Sequence, residues 1–242
     1  EILRCVRTLT QGRVKLFASA TAHANRDRYF VAEEAVKMCS DSVLVEVPEE
    51  FGGNATEILE FLREFAKVGM TTLMIQDLPW QGPGMAIPLI AQMFEEIEPC
   101  RCLKVETVPA CLKYTAVLDQ TRGRLHVSGG WASLQLLEAL DRGVGAIIPT
   151  GMTGLFRRVF EAFAHGERDQ ARDLYRKLLP VLAFTQQHLD ISIQFYKRFF
   201  CHRGIFSTTS VRAAAILYDS VHERRGQELM DYSDHLDGWK PS

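Results

Sequence analysis

The chain has 242 residues, 47% of them hydrophobic, which is enough to bury one substantial core. Its formal net charge of −2 comes from interspersed acidic and basic residues, and this argues against nucleic acid as a partner. The chain lacks an apolar stretch of the roughly 18 residues that a membrane span needs, which argues against a membrane partner. Its six cysteines lack zinc-finger spacing, so we expect reduced thiols in a cytoplasmic protein.

Short apolar runs alternate with helical patterns as far as Thr150. The strand-like runs lie at Val14–Ala20, Ser42–Pro48, Thr71–Pro79, Arg101–Thr107, Arg124–Gly129 and Gly145–Thr150. The helical patterns occupy Glu1–Thr10, Asp27–Cys39, Ala55–Val68, Ala86–Ile97, Pro109–Gln120 and Ala132–Arg142. Because the runs are mostly apolar rather than alternating, they predict parallel strands covered on both faces, joined by helices.

After Thr150 the pattern is helical only. Helices are predicted at Thr153–His165, Glu167–Leu182, Thr185–Cys201 and Val211–Gly226, followed by a polar tail. The near-helical spacing of the aromatic residues in this part favours packing or a subunit contact; they are Phe184, Phe195, Tyr196, Phe199, Phe200 and Phe206. We predict a partial (β/α) barrel over residues 1–166 and a helical extension of the same domain over 167–242.

The strand count falls short of a closed barrel. Eight strands close a (β/α)₈ ring, and the pattern provides six. We therefore expect two βα units, on the order of 50 to 60 residues, to be missing ahead of Glu1. Val14–Ala20 should then be an edge strand. An open doubly wound sheet is the competing architecture, although the chain has no Gly-x-Gly-x-x-Gly fingerprint at a switch point.

One strand-like run carries a lysine and a carboxylate on the same face. Lys104 and Glu106 are two residues apart, so their side chains project to the same side of a strand. An ammonium among apolar neighbours is poorly hydrated, which lowers its pKa and frees the amine to attack a carbonyl carbon. A carboxylate beside it can carry the protons of that reaction. The alternative is an edge-strand lysine whose charged head is solvated.

The ends of two other strand-like runs carry polar side chains and glycines that could belong to the same site. If the sheet is a barrel, its active site lies at the carboxyl ends of the strands. Gln76 and Asp77 end the third run, and Ser128, Gly129 and Gly130 end the fifth. The backbone N–H groups of such glycine loops can bind phosphate or a carboxylate. Tight turns alone would equally explain the glycines.

The histidines give no support for a metal site. All seven lack His-x-His and His-Glu-x-x-His spacing, so we predict neither a metal nor an organic cofactor. His126 falls within a strand-like run and is predicted to be a core residue.

From Glu1 to about Arg212 the chain resembles the dihydrodipicolinate synthase/N-acetylneuraminate lyase family of Schiff-base (β/α)₈ enzymes. The segments that carry the resemblance are Ile75-Gln76-Asp77-Leu78-Pro79, Leu103-Lys104-Val105-Glu106-Thr107, Val127-Ser128-Gly129-Gly130, Arg142–Ile148 and Ala164–Ala171. The resemblance implies that Lys104 forms an imine with a 2-oxo acid. Glu106 is then the candidate acid/base, because it shares the face of Lys104. We predict substrate-binding roles for Gln76, Asp77, Ser128, Gly129, Gly130 and Ile148. The resemblance also implies a cofactor-free homo-oligomer, either a tetramer or a dimer.

Differences from the family pattern indicate which branch of the family the chain resembles. Gln76-Asp77-Leu78-Pro79 stands where the family commonly has Tyr-Asn-x-Pro, and Trp80-Gln81-Gly82 replaces the arginine that follows. Glu50 takes the place of a further tyrosine. These differences favour the branch of 2-keto-3-deoxy sugar-acid dehydratases, such as the L-2-keto-3-deoxyarabonate enzyme. A pyruvate-dependent aldolase and a degenerate, non-catalytic barrel used for binding or assembly are the alternatives.

Overall fold

The computed structural model describes residues 1–22, 25–79, 82–130 and 132–239. Its α-helices are α1 (Ile2–Thr10), α2 (Asn25–Lys37), α3 (Ala55–Ala66), α4 (Ile87–Glu96), α5 (Ala110–Gln120), α6 (Leu136–Asp141), α7 (Thr153–Ala164), α8 (Arg168–Thr185), α9 (Leu189–His202) and α10 (Ser220–Asp237). Its strands are β1 (Phe17–Ser19), β2 (Ser42–Glu46), β3 (Leu73–Asp77), β4 (Cys100–Val105), β5 (His126–Gly129) and β6 (Ala146–Ile147). No helix within these residues is long and apolar enough to cross a membrane.

The strands form one parallel sheet whose spatial order is the chain order, β1 to β6. Each strand lies within one residue of a run that the sequence predicts, and helices separate consecutive strands. The predicted α/β class, with six parallel strands and helices after them, is therefore confirmed. Among the described residues, β1 pairs only with β2, so it is an edge strand, as expected for Val14–Ala20.

The two faces of the sheet differ in character. Val45, Ile75, Leu103 and Val127 project to one face and are at most 1% exposed, and helices α2, α4 and α5 contact these strands. Because side chains alternate along a strand, Lys104 projects to the other face. The first face therefore packs the sheet against its helices, whereas the face that carries Lys104 holds buried Met74 and Cys102 and, nearer the carboxyl ends of the strands, polar side chains.

The chain divides into two compact units. The first comprises Glu1–Ala132 and Asp141–Ile147 and contains the whole sheet; the second comprises Ser133–Leu140 and Ile148–Ser242 and contains the C-terminal helices. Within the second unit, Phe195 and Phe199 are buried and their rings stack at 6.1 Å. This is the packing role that the aromatic spacing predicts. The assignment of 1–166 and 167–242 to one domain stays a prediction.

Two sequence predictions are wrong. The helix expected at Val211–Gly226 begins at Ser220, because the Asp219 carboxylate accepts the N–H groups of the first turn, and it continues to Asp237 in the segment predicted to be a polar tail. His126, expected in the core, is exposed. His126 is the first residue of β5, and it is exposed there although Ser128, two residues further along the same face, is buried.

Candidate active site

A row of polar side chains crosses four neighbouring strands near their carboxyl ends. Glu46 of β2 pairs with Gln76 of β3, Gln76 with Lys104 of β4, and Lys104 with Ser128 of β5. Residues aligned in this way project from the same face of a parallel sheet. We call Glu46, Gln76, Lys104 and Ser128 the polar row.

Glu106, just beyond β4, joins two members of the polar row. Lys104 Nζ lies 3.1 Å from Glu106 Oε1, and Gln76 Nε2 donates a hydrogen bond to Glu106 Oε2. The Glu106 backbone N–H donates to the Asp77 carbonyl at 3.0 Å. The side chains of Lys104 and Glu106 are 16% and 17% exposed, so a small ligand can reach them although most of their surface is shielded. The pair is fixed in orientation and open to a substrate.

Gly130 makes room for the Glu106 carboxylate. A Cβ atom on Gly130 would lie 2.6 Å from Glu106 Cδ, closer than side chains pack. The Gly130 N–H donates to the Val105 carbonyl at 3.1 Å, and its predicted role in binding a substrate carboxylate stays a prediction. Gly130 contributes to the site by lacking a side chain, which leaves space for the Glu106 carboxylate. The substrate-binding role predicted for Gly129 stays a prediction.

Ser128 offers an unused hydroxyl beside Lys104. Its side chain is fully buried, and its Oγ has no hydrogen-bond partner among the described residues. An unsatisfied buried hydroxyl costs roughly 1–3 kcal/mol. The hydroxyl lies in register with Lys104 but is shielded from solvent, so its substrate-binding role stays a prediction.

Asp77 lies on the opposite face from Gln76, its neighbour in sequence. Its carboxylate is fully buried, with Oδ1 accepting the Met85 N–H at 2.7 Å and Oδ2 lying 2.5 Å from Lys113 Nζ of α5. Burial raises the pKa of the Asp77 carboxyl above its ordinary value, against the opposing effects of Lys113 and the Met85 N–H. The carboxylate therefore does not join the polar row, and the substrate-binding role predicted for Asp77 stays a prediction.

Asp77 and Lys113 instead hold the segment that follows β3. Lys113 Nζ also donates to the Pro83 carbonyl at 2.8 Å. Gly84, with φ +75°, passes directly over Asp77, and a Cβ there would lie 3.0 Å from Asp77 Cγ and 2.6 Å from Thr107 Cγ2. Sequence spacing does not reveal Lys113, because the pairing depends on how α5 packs against the sheet.

A separate cavity of about 110 Å³ adjoins Asp77, and its lining includes Glu49, Leu78, Gly84 and Met85. Neither Lys104 nor Glu106 lines it. A cavity of this size is small for a substrate, since ligand sites usually enclose about 300–1,000 Å³. The polar row is therefore the better candidate for the active site.

The remaining predicted site residues lie elsewhere. Ile148 is 42% exposed and belongs to the second unit, so its substrate-binding role stays a prediction. Trp80 and Gln81 fall outside the described residues. Within the part of the chain that the structure describes, no group of three or more His, Cys, Asp and Glu side chains could hold a metal ion.

Known proteins resemble this chain in sequence. None of the known family profiles matches it. A 4-hydroxy-tetrahydrodipicolinate synthase of Helicobacter acinonychis (strain Sheeba) is 23% identical over 181 residues, which are 74% of this chain and 60% of that protein. A second synthase, from Synechococcus sp. (strain JA-2-3B'a(2-13)), is 22% identical over 191 residues. The match thus spans 60% of the length of these curated relatives.

Solved structures share the fold. The dihydrodipicolinate synthase of Thermotoga maritima superimposes with a TM-score of 0.84 at 13% identity, over 97% of this chain and 80% of that one. The N-acetylneuraminate lyase of Mycoplasma synoviae is 15% identical and has a TM-score of 0.78 over 96% of this chain and 78% of that one. In fold and sequence the chain is thus similar to the dihydrodipicolinate synthase/N-acetylneuraminate lyase family.

Proposed function

We propose that this protein is a Schiff-base lyase of a 2-oxo acid, with Lys104 as the nucleophile and Glu106 as the acid/base. The observation that carries the proposal is the 3.1 Å contact between Lys104 Nζ and Glu106 Oε1 at the carboxyl ends of the strands. Gln76 supports it by orienting Glu106 from the neighbouring strand. No cofactor takes part in this chemistry.

The geometry suits each proton transfer of such a reaction. Glu106 is within the distance needed to take a proton from the Lys104 ammonium, which frees the amine to attack C2 of the substrate. Loss of the C2 oxygen as water leaves a protonated imine. Glu106 then removes a proton from C3, and the electron pair of that C–H bond forms an enamine. Re-formation of the imine expels the C4 hydroxyl, which leaves as water with the proton that Glu106 returns.

Dehydration of a 2-keto-3-deoxy sugar acid is the reaction we favour within this class. Gln76 stands where the family commonly has a tyrosine, and an amide can hydrogen-bond both a hydroxyl and a carboxylate of such a substrate. The buried Ser128 hydroxyl is a further donor and acceptor beside the imine position. The sugar acid would thus find polar partners on both sides of Lys104.

Aldol cleavage or synthesis with pyruvate is the second candidate. It uses the same lysine, and it is favoured by the names of the relatives, which are synthases and a lyase. The two reactions diverge at the protonated imine. In aldol cleavage the C4 hydroxyl loses its proton and the electron pair of the C3–C4 bond forms the enamine, whereas in dehydration C3 first loses a proton and the C4–O bond then breaks.

Borohydride trapping tests the proposal directly. The protein is incubated with pyruvate or with 2-keto-3-deoxy-L-arabonate, reduced, and analysed by intact mass and peptide mapping. We expect a stable adduct on Lys104 with both acids, and water elimination only from the sugar acid. Cleavage of the sugar acid to pyruvate would favour the aldolase. If neither acid gave an adduct, a non-catalytic barrel for binding or assembly would be the better description.

We further propose a cytoplasmic homo-oligomer, a tetramer or a dimer. Exposed apolar side chains on α9, Leu189 and Ile193, provide surface for a contact between copies. Light scattering at micromolar concentration checks this, and a strict monomer would contradict it.

A further inference from the structure

Glu46 is the member of the polar row that the proposed reaction leaves unused. It ends β2, and its Oε1 lies 3.2 Å from a guanidinium nitrogen of Arg28, near the start of α2. The side chains of Glu46 and Arg28 are only 16% and 6% exposed. No other described residue binds the Glu46 carboxylate, so Arg28 orients it while one of its oxygens keeps acceptor capacity.

The register places Glu46 within reach of a substrate on Lys104. Gln76 pairs with both residues, so only one strand separates β2 from β4. Neighbouring strands lie about 4.7–4.9 Å apart, which puts the Cα atoms of Glu46 and Lys104 on the order of 10 Å from each other. An extended chain of three carbons beyond an imine at Lys104 can cross the Gln76 position and meet the Glu46 side chain between the two strands.

The chemistry of Glu46 selects what can bind there. An ionised carboxylate only accepts hydrogen bonds, so it binds a hydroxyl donor well. It repels a second carboxylate or a phosphate, and it gains nothing from an alkyl tail, which would leave it unsatisfied. We propose that Glu46, positioned by Arg28, is a specificity-determining residue that binds a terminal hydroxyl of the substrate. The subsite would favour uncharged, hydroxylated 2-oxo acids over alkyl and dianionic ones.

This inference rests on the proposed function, because it assumes an imine at Lys104. Its test measures the concentration dependence of borohydride trapping for three probes with the parent protein, Glu46→Ala and Glu46→Gln. The probes are 2-keto-3-deoxy-L-arabonate, 2-oxopentanoate, which has the same length without hydroxyls, and pyruvate, which has no tail. Circular dichroism of each variant verifies that it is folded.

We expect Glu46→Ala to raise the sugar-acid concentration that gives half-maximal trapping roughly 10- to 100-fold. This is the range for the loss of a hydrogen bond to a charged group. Trapping of pyruvate should change less than about twofold, and 2-oxopentanoate should bind as well as before or better. Glu46→Gln keeps an acceptor oxygen and the size of the side chain, so its loss should be intermediate. Glu46→Ala removes a partner of Arg28 and could unfold the protein for that reason. In that case Glu46→Gln is the folded variant that is compared with the parent.

The outcomes separate the two proposals. Equal changes for all three probes, or no change for the sugar acid in either variant, would overturn the role of Glu46 and leave the Schiff-base reaction standing. An absence of adducts with every probe in the parent protein would overturn both. Selective weakening for the sugar acid supports both.

Discussion

Gln76 and Asp77 are adjacent in the chain, yet their side chains lie on opposite faces of the sheet. Gln76 donates to the Glu106 carboxylate, whereas the Asp77 carboxylate lies 2.5 Å from Lys113 Nζ on the side of helix α5. The Asp77 carbonyl also accepts the Glu106 N–H at 3.0 Å. The end of β3 therefore positions Glu106 from one face and secures the following segment from the other.

Replacing Lys113 should destabilise the fold. In Lys113→Met the fully buried Asp77 carboxylate loses its charged partner, and breaking a buried ion pair from one side costs roughly 3–5 kcal/mol. Urea denaturation at neutral pH measures the change. The same substitution in the exposed pair of Lys67 with Glu64 is the matched control, and it should stay within about 0.5 kcal/mol. Equal effects of the two variants would contradict the prediction.

The cost of Lys113→Met should depend on pH. Burial raises the pKa of Asp77 in the folded protein above its ordinary value of 3.8, and removing Lys113 raises it further. A carboxyl whose pKa is raised by folding contributes stability below its unfolded pKa and loses that contribution as pH rises through the folded pKa. The destabilisation should therefore be smallest near about pH 4 and grow toward about pH 7. Adding Asp77→Asn to the variant should remove this dependence.

The sheet could be predicted from the sequence because its apolar face leaves an unambiguous pattern. Ile75 and Leu103 are fully buried between the sheet and its helices, and runs of such residues predict parallel strands without further information. The start of α10 was missed because a capping aspartate, Asp219, outweighs the helical periodicity of the residues before it.

The site was only partly predictable, because the sequence of a single strand does not determine which residues of the neighbouring strands it pairs with. Lys104 and Glu106 are two residues apart on β4, so alternation alone brings them together. Glu46 joins them through pairing across two strands, which single-strand periodicity does not reveal. Asp77 was assigned to the same site because it follows Gln76, although the alternation of side chains already places the two on opposite faces.

Gly130→Ala should impair the reaction more than the fold. The added methyl group would overlap the Glu106 carboxylate and push it away from Lys104, while the hydrogen bond from the backbone N–H to Val105 remains. A displacement of about 1 Å at a catalytic group can cost on the order of 100-fold in rate. Gly154→Ala, at an open position in α7 whose nearest atom is 3.7 Å away, is the control for the substitution itself. Steady-state kinetics of both variants measure the effect on turnover. Unchanged turnover in Gly130→Ala would show that the reaction does not depend on the position of Glu106.

Glu106→Gln should separate imine formation from proton transfer. The amide keeps the size and hydrogen bonding of Glu106 but cannot accept a proton at neutral pH. Turnover should therefore fall by roughly 10²- to 10⁴-fold, the usual contribution of a positioned acid/base. Some imine should still be trapped by borohydride, because Lys104 remains. Wild-type turnover in this variant would exclude Glu106 as the acid/base.

Lys104→Ala should abolish turnover and trapping together while the protein stays folded. Lys104 is partly exposed and projects away from the apolar face of the sheet, so its removal leaves the packing of Leu103 and Val105 intact. Without the amine no covalent bond to C2 can form, and the loss should be complete rather than graded. Lys67→Ala removes an exposed lysine of the same unit and should leave the borohydride adduct at full yield, which shows that loss of a lysine by itself does not lower the yield. Intact mass after reduction, with circular dichroism to verify folding, gives the answer. If Lys104→Ala kept near-normal activity on every 2-oxo acid that the parent accepts, Schiff-base chemistry at this lysine would be excluded.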